Sequence, residues 1–296
     1  MNNDPNKPYQ ERSNYNSPDR RSSNSYQSNQ SNPRFQPRGD RAPAPQMRIP
    51  NGFAILELKY GNIYGGPPNY FVISDISLLV FDPDKNHIFL ESASMSGDVD
   101  VVFVNSKSNE LGHTTGRHKH VVNLETRKKK PYLENYEVSP EDLDLAFEKS
   151  RPGRMVIRNF MRKNLRKYDV NKIITFDGRR DVFLCEKTGV RFDGIELVDL
   201  QKDLNQECNY LFSLNKLGVA INFRADASFL YSNNLKYYLH PIAARQLEPK
   251  SAAYDAARLL LINNEFTQHK EDFLIKAAIL LNKIQTIQDQ ENPPAT

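Results

Sequence analysis

Phe53-Ala54-Ile55-Leu56-Glu57-Leu58-Lys59 is the stretch on which the fold turns. Four apolar residues run into an acid, and a cation follows two positions later. A second apolar run, Tyr70 to Asp82, comes after Gly61-Asn62-Ile63-Tyr64-Gly65-Gly66-Pro67-Pro68. Apolar runs of that length, divided by glycine and proline, read as strands at 53–60 and 70–82 with a turn between them. Glu57 and Lys59 then share one strand face at the end of the first strand. An ordinary solvated ion pair is one meaning of that arrangement.

The pattern continues outward from this pair. His87–Ser92 and Asp98–Val104 read as two more short strands, which makes an antiparallel meander. Residues 106–137 are polar and basic and read as a long loop. Ser139-Pro140-Glu141-Asp142 is a helix start, with a capping serine and a proline in the first turn. A helix runs from there to Lys149, and a second from Gly153 to Tyr168. In the second, Met155, Val156, Asn159, Phe160 and Lys163 share one side, while Arg154, Arg158, Arg162 and Arg166 recur at spacing four. Short elements then alternate: a strand at Lys172–Phe176, a helix at Arg180–Lys187, a strand at Gly194–Leu200 and a helix at Asn209–Leu217. Helices at Ser251–Asn264 and Lys270–Gln288 close the chain. A meander followed by strand–helix alternation indicates an α/β fold, a mixed sheet with helices on its faces.

The 296 residues suffice for one large domain or two small ones, and 39% are hydrophobic. No run approaches the roughly 18 apolar residues of a membrane span, and the polar N-terminus is unlike a secretory signal. Cys185 and Cys208 fit a reducing compartment without disulfides, so an intracellular setting, cytoplasmic or nuclear, is expected. The net charge of +4 sits in residues 1–48, which hold eight Lys/Arg and four Asp/Glu. These residues contain no Ile, Leu or Val. Such a segment buries too little apolar surface to offset its ordering entropy, so 1–48 is expected to be a disordered arm. The folded domain is expected at 49–290, with a short tail at 291–296.

The order of blocks resembles the 3′–5′ exonuclease domain of the RNase H-like superfamily, the DEDD group, over roughly residues 50–265. Glu57-Leu58-Lys59 stands where that family carries Asp-x-Glu on its first strand. Lys172–Leu184 resembles the middle block, with Asp181 on the acidic position. Glu196-Leu197-Val198-Asp199-Leu200 resembles the strand after it, and Ser213–Val219 the short helix before the last block. Ser251–Leu260 resembles the last block, with Asp255 as its acid. The resemblance implies an RNase H-like sheet, two divalent metals held by four carboxylates, and a His or Tyr acting on the attacking water.

The departures point the other way. Magnesium prefers oxygen ligands, and a lysine ammonium donates hydrogen bonds and accepts none. Lys59 therefore cannot replace the family's Glu, but it can stand at the metal's position and pair with Glu57, Asp181 or Asp255. Lys250 and Ser251 occupy the positions where the His or Tyr belongs. Glu57, Lys59, Asp181 and Asp255 are thus expected to be a vestigial catalytic set that binds no metal. The competing local readings are that Asp181 caps its helix and that Asp255 serves its helix dipole.

Residues 151–168 carry seven Lys/Arg and no acid. With Arg117, Lys119, Arg127, Lys128, Lys129 and Lys130, the arginines Arg154, Arg158, Arg162 and Arg166 are the expected phosphate contacts. Phe229, Tyr237 and Tyr238 are candidates for stacking bases. His113, His118 and His120 are set among cations, which opposes a zinc site. The expected partner is a nucleic acid, single-stranded RNA foremost, with no membrane and no cofactor. Two alternatives stay open: an active exonuclease using magnesium or manganese, with Asp75 or Asp177 as a substitute ligand, and a scaffold that assembles through the arm or the terminal helix.

Overall fold

The computed structural model describes residues 47–49, 51–68 and 70–291. The expected arm lies outside these residues except for Met47 and Arg48, and the expected tail except for Glu291. In chain order the elements are β1 (Phe53–Ile63), β2 (Phe71–Asp82), β3 (His87–Ser94), β4 (Asp100–Ser108), β5 (Thr114–Asn123) and β6 (Lys129–Lys130). Then follow α1 (Pro140–Tyr168), β7 (Lys172–Thr175), α2 (Arg179–Lys187), β8 (Glu196–Asp199), α3 (Leu200–Cys208) and α4 (Leu214–Ala220). The chain closes with β9 (Arg224–Ala225), β10 (Phe229–Tyr231), β11 (Lys236–Tyr238), α5 (Pro241–Ala244), α6 (Ala252–Gln268) and α7 (Lys270–Glu291). Among the described residues no helix is long and apolar enough to cross a membrane.

β1, β2 and β3 form an antiparallel meander, but β4, expected as its fourth strand, pairs with β1 and not with β3. β7 joins the other edge of β1 in parallel, with Ala54 opposite Ile173, and β8 joins β7 in parallel. The resulting order β3-β2-β1-β7-β8, three antiparallel strands and then two parallel ones, is an RNase H-like mixed sheet. Further along the same edge of β1, Asn62 and Ile63 pair with β4, which carries β5 and β6. That edge is therefore shared by two partners. Between them, the pairing registers leave Leu56–Gly61 without a strand on that side.

Helices cover both faces. On one face Ile55, Leu79 and Phe81 pack with α6, α7 and residues of α3 and α4. On the other, Ala54, Leu56 and Leu58 pack with Ile157 and Met161 of α1 and Leu184 and Cys185 of α2. β1 thus sends alternate side chains into two cores. α6 is buried almost all round, from Ala252 through Glu265, because the sheet lies on one side of it and α4 and α7 on the other. A helix apolar on every side is a core helix.

Several expectations need correcting. Residues 106–137 are not a loop: β5 and β6 lie within them. β5 is polar on both faces over most of its length, with Arg117 and Lys119 on one and His118 and His120 on the other, so no alternation of apolar and polar residues marks it. The two helices expected at 139–149 and 153–168 are one. α1 runs through Pro152 because Gly153 closes against Met95, where a Cβ would stand 1.8 Å from Met95 Cε. The buried stripe of α1 is Gly153, Ile157, Met161, Asn164 and Tyr168, while Met155 and Val156 are exposed. Of the helix expected at 209–217, residues 209–213 are a connection and only 214–217 are helical, as the start of α4, while α3 precedes them. The small sheet β9–β11 was not expected, and Tyr237 within it is core, its hydroxyl accepting from Asn264 at 3.0 Å. The cap at Ser139 is as expected: its Oγ accepts from the Asp142 N–H at 3.1 Å.

Candidate functional site

The open stretch of β1 between β7 and β4 is where the acidic residues meet. By strand alternation Glu57 and Lys59 lie on the same face as Ile55, the face that carries α6. Asp255 stands in the first turn of α6, whose cap is Ser251 accepting from the Tyr254 N–H at 3.1 Å. Lys59 Nζ pairs with Asp255 Oδ2. Arg258, one turn further along α6, lies 3.5 Å from Asp255 Oδ1. Asp255 therefore has two cations and is more than a helix-dipole residue.

Asp181 comes from α2. The N-cap of that helix is Gly178, with no side-chain cap bond. Asp181 does not cap it; its carboxylate accepts the Leu58 N–H, which has no strand partner on that edge. The chain reaches this geometry through Asp177, whose φ is +55°, and Gly178, where a Cβ would stand 1.8 Å from Thr175 Oγ1. A left-handed aspartate followed by glycine lets α2 turn in closely under β1.

Electrostatics tie the group together. Burial, then the charges of Asp181 and Asp255, hold the Glu57 carboxyl well above its ordinary range, against the pull of Lys59 and Arg258. Its Oε1 is buried and has no hydrogen-bond partner among the described residues. Burial pushes Asp181 up to about 7, opposed by the Leu58 N–H and Lys59 and reinforced by Asp177. For Lys59, burial lowers the pKa, but Asp255 and Glu57 outweigh it and the ammonium is held above its usual value. The structure therefore brings Glu57, Lys59, Asp181 and Asp255 into one partly desolvated cluster.

The donor set does not fit a pair of divalent cations. Such a pair needs several carboxylate oxygens free to bridge it. Here the Lys59 ammonium holds one Asp255 oxygen and Arg258 the other. Among the described residues no three His, Cys, Asp or Glu are arranged to hold a metal. Asp75 is engaged elsewhere: it accepts from Ser74 at 2.7 Å and Ser94 at 2.6 Å and faces Arg127 at 3.7 Å. Asp177 is near Asp181, and its N–H donates to Asp199 Oδ1 at 3.1 Å, which leaves its carboxylate outside the Lys59–Asp255 pair. The ring of Tyr254 lies beneath the Arg258 guanidinium, 5.1 Å from its centroid, so this tyrosine is a platform.

The β4–β5 hairpin is tied to the cluster. Ser108 Oγ accepts from Asn215 Nδ2 at 3.3 Å, and Asn215 Oδ1 accepts from Arg258 Nη1 at 2.6 Å. At the hairpin tip, Gly112 has φ +71°, and a Cβ there would stand 2.7 Å from Lys216 N. His113 lies at the same tip, 3.3 Å from Gln288, apart from the side-by-side rings of His118 and His120 on β5. Arg258 was legible in principle, three residues after Asp255 on a helix. Asn215 and Ser108 had no local signal.

The basic candidates are dispersed. Lys119 lies over the Tyr132 ring at 4.6 Å, and Arg117 is exposed beside it on β5. Arg127 donates to Met95 O at 2.9 Å, and Lys130 pairs with Asp100 at 2.6 Å. Lys128 and Lys129 are exposed. On α1, Arg154 donates to the Tyr70 hydroxyl, Arg158 is half-buried beside Gly189, and Arg162 and Arg166 face a cleft. Of the aromatic candidates, Tyr238 is exposed and Phe229 carries Lys236 over its ring at 4.1 Å.

No family model and no curated protein matches the chain. Among solved structures it is similar to a full-length 3′-exonuclease, with a TM-score of 0.37 and 11% identity over 74% of this chain and 82% of that one. It is also similar to a 3′-exonuclease in a structure of 3′-end recognition of a histone mRNA stem-loop, with a TM-score of 0.34, 13% identity and the same coverage. The fold rests on the strand order rather than on these likenesses.

Proposed function

We propose that the protein binds nucleic acid, single-stranded RNA foremost, on a 3′–5′ exonuclease-like fold whose metal site is degenerate. The observation that carries the reading is the Lys59–Asp255 pair inside the cluster of Glu57, Asp181 and Asp255. A lysine there supplies internally the positive charge that carboxylates so close together require. It keeps the cluster neutralised without a metal, and it leaves no donor set for two-metal hydrolysis. Binding then falls to cations outside the cluster, with Arg117, Lys119, Lys128 and Lys129 on one side of the fold and the arginines of α1 on another supplying phosphate contacts.

The test is a nuclease assay on labelled single strands with magnesium or manganese, run beside a binding measurement. The expected result is salt-sensitive binding with no cleavage. Metal-dependent cleavage lost in Asp181→Ala and in Asp255→Ala would replace this reading with an active exonuclease. Lys59→Glu adds the missing carboxylate, and calorimetry should detect magnesium binding in the variant alone. No binding in that variant would mean that more than one residue separates this site from a metal site.

A further inference from the structure

We propose that a cleft at the opposite end of the parallel strands from the carboxylate cluster is a second nucleic-acid contact, one that grips the phosphate backbone. The cleft has a volume of about 850 Å³, and its charged lining is Arg48, Arg162, Arg166, Arg191, Asp169 and Asp193. Three separate segments supply the four guanidiniums. Arg162 and Arg166 stand one turn apart on α1 and so share a face. Arg191 comes from the connection between α2 and β8. Arg48 comes from the segment that enters β1, held there by the Met47 N–H donating to Lys167 O at 2.7 Å.

The charges are only partly spent. Asp169 is taken by Arg48 at 3.4 Å. Among the described residues, Arg162, Arg166 and Arg191 have no carboxylate within ion-pair distance. Arg158, a turn nearer the helix start, runs its stem against Gly189, where a Cβ would stand 3.3 Å from Arg158 Cδ. Its Nε is buried and has no partner among the described residues, but Arg158 does not itself line the cleft. Converging guanidinium forks with unspent donors are matched to the paired oxygens of phosphate. Among the described residues no aromatic ring lines the cleft, so none of them stacks bases there. Contacts of this kind position a strand and read no sequence.

The cleft is not the carboxylate site seen from another side. Ile173 on β7 lies opposite Ala54, Glu57 is three residues beyond Ala54, and Asn171, at the cleft, is two residues before Ile173. Five residues of strand separate the two places, about 16 Å at roughly 3.3 Å per residue. Arg48 lines the cleft, and seven further Lys/Arg precede it in the sequence.

The inference rests on the nucleic-acid reading, and one experiment separates the two. Anisotropy of a labelled single-stranded RNA is titrated with the full chain, with Arg166→Gln/Arg191→Gln, and with the exposed control Lys202→Gln/Lys283→Gln. The cleft variant should bind about tenfold more weakly near physiological salt, and its log–log salt slope should be shallower by about 1.4, two contacts at about 0.7 each. The control should match the wild-type chain, and thermal melts should show all three folded. Should the double variant fail to fold, Arg191→Gln alone should give about half the change in slope. Unchanged affinity and slope in a folded cleft variant overturn the inference and leave the nucleic-acid reading standing. A wild-type chain that binds no RNA removes both. A polyglutamate peptide that displaces the RNA from the wild-type chain at equal charge, but not from the cleft variant, overturns the nucleic-acid assignment and makes the cleft a protein-docking site.

Discussion

Asp181 is the residue at which burial and charge have the clearest measurable consequence. Its carboxyl is pushed up to about 7, chiefly because it is buried, with Asp177 adding to the effect and the Leu58 N–H and Lys59 opposing it. An acid whose pKa is higher folded than unfolded holds its proton more tightly in the folded state. Its contribution to stability is complete below the ordinary value of 3.8 and is lost as pH rises through 7. Asp181→Asn keeps an oxygen for the Leu58 N–H and has no proton to lose. Urea midpoints measured from pH 4 to pH 8 should therefore shift in favour of the variant across that window, by about 1–2 kcal/mol, and run parallel above it. Profiles that are parallel throughout would mean that Asp181 titrates normally. The Asp181 charge also helps to raise Glu57 in the same cluster, so the difference between the two profiles reports the interacting pair rather than Asp181 alone.

Among the elements, β1 is the one on which the others depend. It serves two cores and three neighbouring strands, and the gap between two of those neighbours is where the charged cluster forms. Gly61 marks the far side of the gap. A Cβ there would stand 2.2 Å from Val102 O, a backbone atom that cannot swing aside. Gly61→Ala should push β4 off the end of β1 and cost about 1–3 kcal/mol, the usual range for overpacking. Hydrogen exchange should place the loss in β4 and β5, with β1–β2 protection kept. Equal loss of protection throughout the sheet would show that the hairpin and the sheet open as one unit. Most elements were legible because each carried a local mark: the apolar runs of β1 and β2, the Ser139-Pro140 cap of α1, the apolar period of α7. β5 was not, since a strand polar on both faces has no period to read. The join across Pro152 was not either, because the contact that favours it, Gly153 on Met95, lies 58 residues apart in the chain.

For the whole molecule, the distribution of charge matters more than its total. Residues 1–48 hold eight of the 40 Lys/Arg and four of the 36 Asp/Glu, so the rest of the chain sums to zero. A neutral body exerts little long-range pull on a polyanion, while a basic segment raises the encounter rate. Deleting residues 1–46, which spares Arg48, should slow RNA association several-fold at low salt and leave dissociation within about twofold. Stopped-flow anisotropy measures both rates. A large rise in dissociation with unchanged association would instead make the segment part of the grip itself.

By itself the sequence determined the kind of elements and the kinds of charge: an apolar strand ending in Glu57 and Lys59, an acid at the start of α2, another at the start of α6, and a helix lined with arginine. These are short-range properties, written in periods of two and 3.6 and in capping residues. Only the tertiary structure decided that Lys59 is bonded to Asp255, 196 residues away. It likewise decided that Asp181 serves β1 and not its own helix, and that Arg48 and Arg191 join two arginines of α1 around one cleft. The physical reason is that burial and Coulomb interaction act through space. A charge's meaning is set by what the fold brings beside it, and strand pairing and helix packing make those neighbours from distant parts of the chain.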